Sequence, residues 1–212
     1  MRENYTNVIL TLILSVTVAI CFRLYQLSPM VRTVPDISKG ESGRKALVLS
    51  GTELLKNAGF ETEEDGMPTE WGTWSSPDEK GVKFFRDTDI KHSGEASACV
   101  VNTDTDPEQK NLPQWVQHVE HNLPYGQKVV LTGWVKTENA KTAAVCMRCD
   151  GQAKQLAFAT TWSYKGPFKD TTDWKPFEIS FEVPEGTEYI RIMPFVAGPG
   201  KAWFDDLSLK VE

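Results

Sequence analysis

Histidine and cysteine are scarce in this sequence, and its basic residues form no block. The 212 residues include three His and four Cys, and the formal net charge is −6 at pH 7. Binding to nucleic acid usually requires a basic patch that neutralises phosphates, so we expect no nucleic-acid partner. The histidines form no motif with nearby acids, and Ser93-Gly94 is typical of a turn rather than a nucleophile elbow. We therefore expect no catalytic activity.

The few cysteines also limit the kinds of site that the chain can build. Cys146 and Cys149 form a Cys-x-x-Cys motif inside an apparent strand, where residues three apart face opposite sides. That geometry suits neither a zinc knuckle nor a redox-active helix start. Cys99 could form a disulfide with either of them in an oxidising compartment, or all three could be buried thiols. The sequence leaves both alternatives open.

The chain has a single long apolar run, and it lies at the N-terminus. Residues 8–22 are apolar apart from Ser and Thr, and extension to residues 5–27 reaches the length of a membrane span. We expect residues 1–27 to be an uncleaved signal anchor, with a cleaved signal peptide as the alternative. Basic residues after this run favour a cytoplasmic location for the rest of the chain. We nevertheless expect an extracytoplasmic domain, anchored at the membrane or secreted if the segment is cleaved.

Beyond the N-terminus, turn signals separate short runs in which apolar and polar residues alternate. Residues 28–52 are rich in Gly, Pro and charged residues and predict a linker. Residues 53–212 contain about ten alternating runs, of which Trp115-Val116-Gln117-His118-Val119-Glu120 is a clear example. We therefore predict an all-β fold for residues 53–212, an antiparallel β-sandwich of the jelly-roll type, preceded by one N-terminal hydrophobic helix.

Two adjacent acids interrupt the last alternating run. Neighbouring residues on a strand point to opposite faces, so either Asp205 or Asp206 must face the apolar side. A buried carboxylate needs a cation or several hydrogen-bond donors. If the first and last strands pair, Glu61 and Asp205 could share one hard cation, most plausibly calcium. The alternative is that these acids cap turns and face water.

Several short motifs follow one another in a fixed order along residues 53–212. They are Asn57-Ala58-Gly59-Phe60-Glu61, Gly66-Met67-Pro68, His92-Ser93-Gly94, Gln117-His118-Val119, Leu131-Thr132-Gly133-Trp134-Val135-Lys136, Thr172-Asp173-Trp174-Lys175-Pro176-Phe177 and Trp203-Phe204-Asp205-Asp206-Leu207-Ser208-Leu209. This ordered set resembles the carbohydrate-binding modules of families 4, 9 and 22, which have a galactose-binding-like jelly roll. The resemblance implies binding of a glycan without catalysis.

The resemblance also implies a structural calcium ion. In those modules calcium commonly lies where the first turn, the Ser-Gly turn and the last strand meet. By position, Glu61 and Asp205 would be its side-chain ligands. Gly59, Ser93 and Ala96 would offer carbonyl oxygens. Such an ion would stabilise the fold rather than act in catalysis.

Sugar recognition needs aromatic rings for the apolar faces of pyranoses and polar groups for their hydroxyls. The predicted ligand-binding residues combine aromatics in loops or at strand ends with polar residues on strands: Trp74, Trp115, Gln117, Arg148, Trp162 and Tyr164. The alternatives are edge packing for the aromatics and ordinary solvated positions for the polar residues. Aromatics in regular strand alternation, such as Trp134, Trp174, Phe177 and Phe204, are predicted to lie in the core.

These observations lead to two functional hypotheses. The first is a membrane-tethered extracytoplasmic β-sandwich that binds a glycan or polysaccharide, with calcium as a structural ion. The second is a structural or protein-interaction module of an envelope assembly, which has the same fold, an envelope protein as partner and no sugar site.

Overall fold

The computed structural model describes residues 48–76, 81–105 and 112–212. They belong to one compact unit, Ala46–Glu212. The predicted N-terminal hydrophobic helix and anchor, residues 1–27, and residues 28–47 of the predicted linker lie outside the described residues. Within the described ranges, no helix combines the length and the apolar character that a membrane crossing requires.

Nearly all the regular structure of the described residues is β. In chain order the elements are β1 (Glu63–Glu64), β2 (Met67–Pro68), β3 (Gly72–Trp74), β4 (Val82–Asp87), β5 (Ser97–Asn102), β6 (Gln114–Val119), β7 (Lys128–Gly151), β8 (Lys154–Thr160), α1 (Thr161–Lys165), β9 (Phe168–Glu182), β10 (Tyr189–Val196) and β11 (Gly200–Val211). Every pairing between these strands is antiparallel. The prediction of an all-β antiparallel sandwich is confirmed.

The long strand β7 belongs to both layers of the sandwich. Its first half pairs with β9 and β11, and its second half pairs with β10 and β8. We call the layer β9-β7-β11-β5-β4 sheet I and the layer β8-β7-β10-β6-β3 sheet II. Pairing between β7 and β9 shifts register from Val135 to Ala143, where β7 leaves one sheet and enters the other.

Both ends of the described domain lie on β11. The amide of Gly51 donates to the carbonyl oxygen of Val211, and the amide of Leu54 donates to that of Leu209. The sequence predicts a first strand at residues 53–56, but the structure reduces it to a single bridge between Glu53 and Lys210. The expected proximity of the two ends is present, and residues 48–52 of the predicted linker run along the sandwich.

The core fills the space between the two sheets and comes from alternate residues of each strand. Of the predicted core aromatics, Phe177 and Phe204 are buried. Trp134 and Trp174 are only half-buried, because they lie on the outer side of sheet I, where the His92 ring stacks on Trp134 at a centroid distance of 3.9 Å. The two tryptophans therefore belong to the surface of the sheet.

Helix α1 occupies a segment that the sequence assigns to a loop. The side chain of Thr160 accepts a hydrogen bond from the Trp162 amide at the N-cap, and Gly166 ends the helix with a φ of 81°. This single turn lies between the edge strand of sheet II, β8, and the edge strand of sheet I, β9.

Candidate functional site

The outer side of sheet II carries charged and aromatic side chains close together. On β7, Val145 and Met147 face the core, whereas Ala144 and Cys146 belong to a separate apolar cluster on the opposite side. Register pairing extends this outer side across the sheet, and we call it the sheet II face. Its described members are Trp74, Gln114, Val116, His118, Ala144, Cys146, Arg148, Asp150, Gln155, Phe158, Thr160, Tyr189, Arg191, Met193 and Phe195.

One end of the sheet II face is apolar and covered. Met193 and Phe195 on β10 pack with Ala144 and Cys146 on β7, and Trp162 from α1 packs against them. Met193 and Phe195 retain 1% and 3% of their accessible surface. This end therefore supports the sheet rather than offering a surface to a ligand.

The centre of the face is a charged row that crosses four strands. His118 on β6 is the register partner of Arg191 on β10, Arg191 is the partner of Arg148 on β7, and Arg148 is the partner of Phe158 on β8. Strands are about 4.8 Å apart, so the row is about 14 Å long. The exposed fraction of Phe158 is 37% and His118 is also exposed, whereas Arg148 is buried.

Specific contacts hold this row in place. Arg148 Nε donates to Asp150 Oδ2 over 2.8 Å in a buried ion pair. Arg191 Nη2 donates to Tyr189 Oη over 3.0 Å, and the guanidinium lies 5.3 Å from the centroid of the Tyr189 ring. The His118 ring packs on the same tyrosine at 5.1 Å. Although part of the His118 side chain is exposed, the groups packed around its ring partly desolvate it, and this desolvation, together with the positive charge of Arg191, lowers the pKa of His118.

Two of the predicted ligand-binding residues face the interior instead. Trp115 is fully buried, and its indole N–H donates to the carbonyl oxygen of Cys99. The Gln117 side chain is buried, accepts from the amide of Lys56 and donates to the carbonyl oxygens of Lys56 and Glu70. The expectation that these side chains reach a ligand is corrected, because β6 points Trp115 and Gln117 inward and His118 outward.

The other predicted ligand-binding residues lie around the sheet II face or next to it. Trp74 and Arg148 are members of the face, and Trp162 covers its apolar end. Tyr164 has an exposed fraction of 61% and lies on the far side of α1. There it borders a cavity of about 230 Å³ between α1 and β9, which Phe168, Lys169 and Lys175 also line.

The sequence analysis did not select four residues of the face: His118, Phe158, Tyr189 and Arg191. The sequence did contain an indication of them, since each of the four is followed on its strand by an apolar or small residue that faces the other side. Alternation shows which residues share a side of a strand, but only the sheet pairing places these four next to one another.

The residues predicted to hold calcium meet at one turn, residues 92–95. Asp205 is fully buried, its Oδ2 accepts from the amides of His92 and Ser93, and its Oδ1 accepts from the amide of Asp206. Asp206 has a φ of 49° at the bulge of β11 and faces outward, where it binds the Ser93 hydroxyl and the His92 ring. Burial raises the pKa of Asp205 to about 6, despite the three backbone donors.

Glu61 holds the same turn from its other end. Its Oε2 accepts from the amide of Glu95 over 2.8 Å, and its carboxylate lies against Gly94. Gly59 lies next to this carboxylate, with the Glu61 side chain 3.6 Å from the position of a built Cβ. Ala96 is buried at the end of the turn. The structure thus places Glu61 and Asp205 on either side of one turn, which is the proximity that a shared cation would need.

These carboxylates keep lone pairs that the described hydrogen bonds do not use. A carboxylate has about four lone-pair positions, so three backbone donors leave one on Asp205, and one donor leaves three on Glu61. Asp205 is a buried acid whose described partners are backbone amides rather than a cationic side chain, and a bound cation would compensate its charge. Among the described residues, no three His, Cys, Asp or Glu side chains form a metal-binding group, so backbone carbonyls would have to complete a shell.

The described cysteines are free, buried thiols. Cys149 points into the core, whereas Cys146 lies on the sheet II face, as their spacing on a strand predicts. Burial raises the pKa of Cys146 and of Cys149 to about 12, so neither thiol is poised to ionise.

No family model matches the chain. It is 26% identical over 155 residues to an uncharacterized HTH-type transcriptional regulator, YbfP, from Bacillus subtilis (strain 168). That match covers 72% of this chain, which spans about half (52%) of the length of the curated relative.

Solved structures share the fold at low sequence identity. The CBM22-1 xylan-binding domain from Paenibacillus barcinonensis matches with a TM-score of 0.52 and 15% identity, over 77% of this chain and 97% of that one. TmCBM61, solved with β-1,4-galactotriose, matches with 0.51 and 22%, over 76% and 100%. The Stig cyclase Fisc from Fischerella sp. TAU matches with 0.55 and 16%, over 76% and 97%. The chain has the galactose-binding-like fold of these carbohydrate-binding modules, and the cyclase shares that fold.

Proposed function

We propose that this protein binds a glycan without catalysis, and that the ligand lies on the sheet II face. The observation that carries this proposal is the row His118–Arg191–Arg148–Phe158, which crosses four strands and combines an exposed aromatic ring with hydrogen-bonding groups. Tyr189, beside the row, adds a second ring and a hydroxyl. Sugar sites combine such rings, which pack on apolar C–H faces, with a few fixed polar groups.

The similar structures support this proposal at the level of sugar binding in general. One is described as xylan-binding, and another was solved with a galactose oligosaccharide. Since the same fold also supports a cyclase, fold likeness alone assigns no ligand, and the argument depends on the residues of the face.

The test is affinity electrophoresis of the full chain in gels that contain soluble xylan, β-1,4-galactan or a mixture of other polysaccharides. We expect at least one polymer to retard the protein, and we expect Phe158→Ala to abolish the retardation. Phe85→Ala is the matched control, because Phe85 lies on β4 of the other sheet and has nearly the same exposed fraction, 36% against 37%. Equal loss in both variants would contradict a site on this face.

The same gels separate binding from the competing hypotheses. No retardation by any polymer would favour a structural or protein-interaction module in an envelope assembly. Release of reducing sugar from a polymer that retards the protein would show catalysis, which the proposal does not expect.

We further propose that residues 1–27 tether the domain to a membrane on its extracytoplasmic side. The apolar run of residues 8–22 and its extension to spanning length support this assignment. The tether would raise the effective concentration of the domain near envelope polysaccharides. Alkaline extraction should leave the full chain in the membrane fraction, and protease added to intact cells should cleave residues 53–212. Protection from that protease would indicate the opposite orientation.

We also propose that Glu61 and Asp205 hold a structural calcium ion, with backbone carbonyls of Gly59, Ser93 and Ala96 as further ligands. When bound, the ion would supply positive charge to a buried carboxylate and tie both ends of the domain to the 92–95 turn. Calcium should raise the melting temperature of the full chain relative to chelator, and Glu61→Gln should reduce this shift. Glu64→Gln, at an exposed acid on β1, should leave it unchanged. The same melting curve with calcium and with chelator would refute the proposal.

A further inference from the structure

The cavity between α1 and β9 lies apart from the sheet II face. Trp162 packs on the apolar end of that face, whereas Tyr164, two residues later on α1, lines the cavity. The cavity has a volume of about 230 Å³. Close-packed domains contain few voids larger than one water molecule, and this volume equals that of about eight water molecules in the liquid. It is therefore far larger than the voids that ordinary packing leaves.

The backbone fixes both walls of this cavity. On one side, the Thr160 side chain caps the start of α1, and Gly166 ends the helix with a φ of 81°. On the other side, β9 pairs with β7 at Phe168 and again at Lys175. Pro176, which follows in the lining, has a φ that its ring restricts. The shape of the cavity is thus set by the fold of the domain.

Aromatic rings form the apolar part of the lining. The exposed fraction of Tyr164 is 61%, Phe168 is half-buried and Phe177 is buried. The C–H faces of a sugar pack on such rings. Thr172 adds a half-buried hydroxyl, which lies 3.0 Å from the hydroxyl of Thr137. The cavity therefore combines rings with hydrogen-bonding groups, as sugar sites do.

The charged residues of the lining favour an anion. They are Lys169, Lys175 and Glu178, two positive charges and one negative. Lys175 is the register partner of the core residue Val135, so its side chain leaves the edge strand β9 on the inner side of sheet I. An inward-pointing lysine hinders pairing of an edge strand with another chain, which would be a purely structural role. The same position also directs an ammonium group toward a ligand in the cavity.

We propose that this cavity is a second binding site, separate from the sheet II face, for a single sugar ring that carries an anionic group. Its volume lies below the roughly 300 Å³ at which pockets begin to hold drug-sized ligands, so it fits one ring rather than an oligosaccharide. Tyr164 and Phe168 pack on the sugar ring, and Lys175, with Lys169, binds its carboxylate or phosphate.

The test measures the affinity of the full chain for three matched monosaccharides by saturation-transfer NMR. Glucuronate carries a carboxylate, glucose 6-phosphate carries a phosphate, and glucose carries neither. Ligands of this size bind with dissociation constants on the order of 1 mM. We expect at least one anionic sugar to bind about ten-fold more tightly than glucose, the scale of one charge-assisted hydrogen bond, and the sugar that does so identifies the anionic group. Higher salt should reduce this preference.

Variants on the two walls locate the site. Tyr164→Ala should abolish binding of the preferred sugar, and Lys175→Gln should remove its preference over glucose. Lys83→Gln is the matched control, because Lys83 is an exposed lysine on β4, the other edge strand of sheet I. It should leave both affinities unchanged. Melting curves of each variant verify folding.

The sheet II face supplies a second control. Phe158→Ala should leave binding of the monosaccharide unchanged, and Tyr164→Ala should leave the retardation by polymers unchanged. Loss of monosaccharide binding in Phe158→Ala but not in Tyr164→Ala would place the sugar on the sheet II face and overturn the second site.

Two other results would also overturn the proposal. One is equal affinity for glucose and both anionic sugars, or no saturation transfer to any of them at ten times the expected dissociation constant. The other is an equal effect of Lys175→Gln and Lys83→Gln, which would show a response to net charge. Neither result alters the retardation by polymers, so the glycan site on the sheet II face is judged by its own test.

Discussion

Gly94 is the position where the turn at residues 92–95 depends most directly on the absence of a side chain. Its φ is +59°, and a Cβ built there lies 2.0 Å from Oε1 and 2.6 Å from Cδ of Glu61. These are atoms of the carboxylate that accepts the Glu95 amide. Gly94→Ala therefore perturbs both the backbone conformation and the position of Glu61.

The two effects can be given separate magnitudes. An L residue in the left-handed region costs about 1 kcal/mol relative to glycine. Displacement of the Glu61 carboxylate, the far end of an exposed and flexible side chain, weakens its hydrogen bond to the Glu95 amide, which contributes about 0.5–1.5 kcal/mol. We expect Gly94→Ala to lower the free energy of unfolding by about 1.5–2.5 kcal/mol, or the melting temperature by roughly 3–10 °C at about 2–4 °C per kcal/mol.

Gly186→Ala provides the control for the backbone effect. Gly186 also has a positive φ, +79°, but nothing lies within 4 Å of its Cβ position. It should therefore lose only about 1 kcal/mol. In a Glu61→Ala background, Gly94→Ala should become as mild as Gly186→Ala, because the carboxylate is no longer there to clash.

Chemical denaturation of the four variants and the parent, in chelator, measures these differences. The reasoning fails if Gly94→Ala and Gly186→Ala destabilise the protein equally, or if Glu61→Ala does not relieve Gly94→Ala.

Three further predictions concern buried groups. Because burial raises the pKa of Asp205 from 3.8 to about 6, the folded state holds this proton more tightly than the unfolded state. Without calcium, the contribution of Asp205 to stability should therefore fall by about 2 kcal/mol from pH 4 to pH 6, and denaturation at both pH values should show a smaller loss for Asp205→Asn. Gln117→Ala removes the hydrogen bonds to partly buried backbone groups of Lys56 and Glu70 and should cost about 1–3 kcal/mol by denaturant titration, while the refolded variant keeps its glycan retardation. Lost retardation at full stability would make Gln117 a ligand residue after all. Peptide-resolved alkylation should label Cys99, Cys146 and Cys149 only after unfolding, since all three are buried thiols, and rapid native labelling would contradict their burial.

Local patterns in the chain were sufficient to predict the architecture. Alternation in β6 and β11 and the order of turn signals predicted an antiparallel sandwich, and the adjacent acids Asp205 and Asp206 predicted a buried carboxylate near the chain ends. The exact residues at which elements begin and end were harder to predict from the sequence. Helix α1 is one turn long, too short for a helical period, and a single bridge replaces the expected first strand.

The candidate site was likewise predicted only in part. Arg148 and Trp74 were selected from residue type and lie on the sheet II face, but Trp115 and Gln117 on β6 were placed on the wrong side of their strand. An alternating strand with polar and aromatic residues in both phases does not specify which phase faces the core. For β6 the answer depends on Phe84, which packs on Trp115, and on Lys56 and Glu70, which bind Gln117.

The residues and their spacing thus established the β periodicity, the positions of the turns and the need to satisfy a buried acid, because these are properties of neighbouring residues. The pairing of Arg148 with Arg191, and of both with His118 and Phe158, joins strands far apart in the chain. Such a row forms only when hydrogen-bond register aligns separate strands and a second sheet covers one of their two sides. Neither the register nor the covering sheet is a property of any single segment, so the folded domain alone brings these four side chains together.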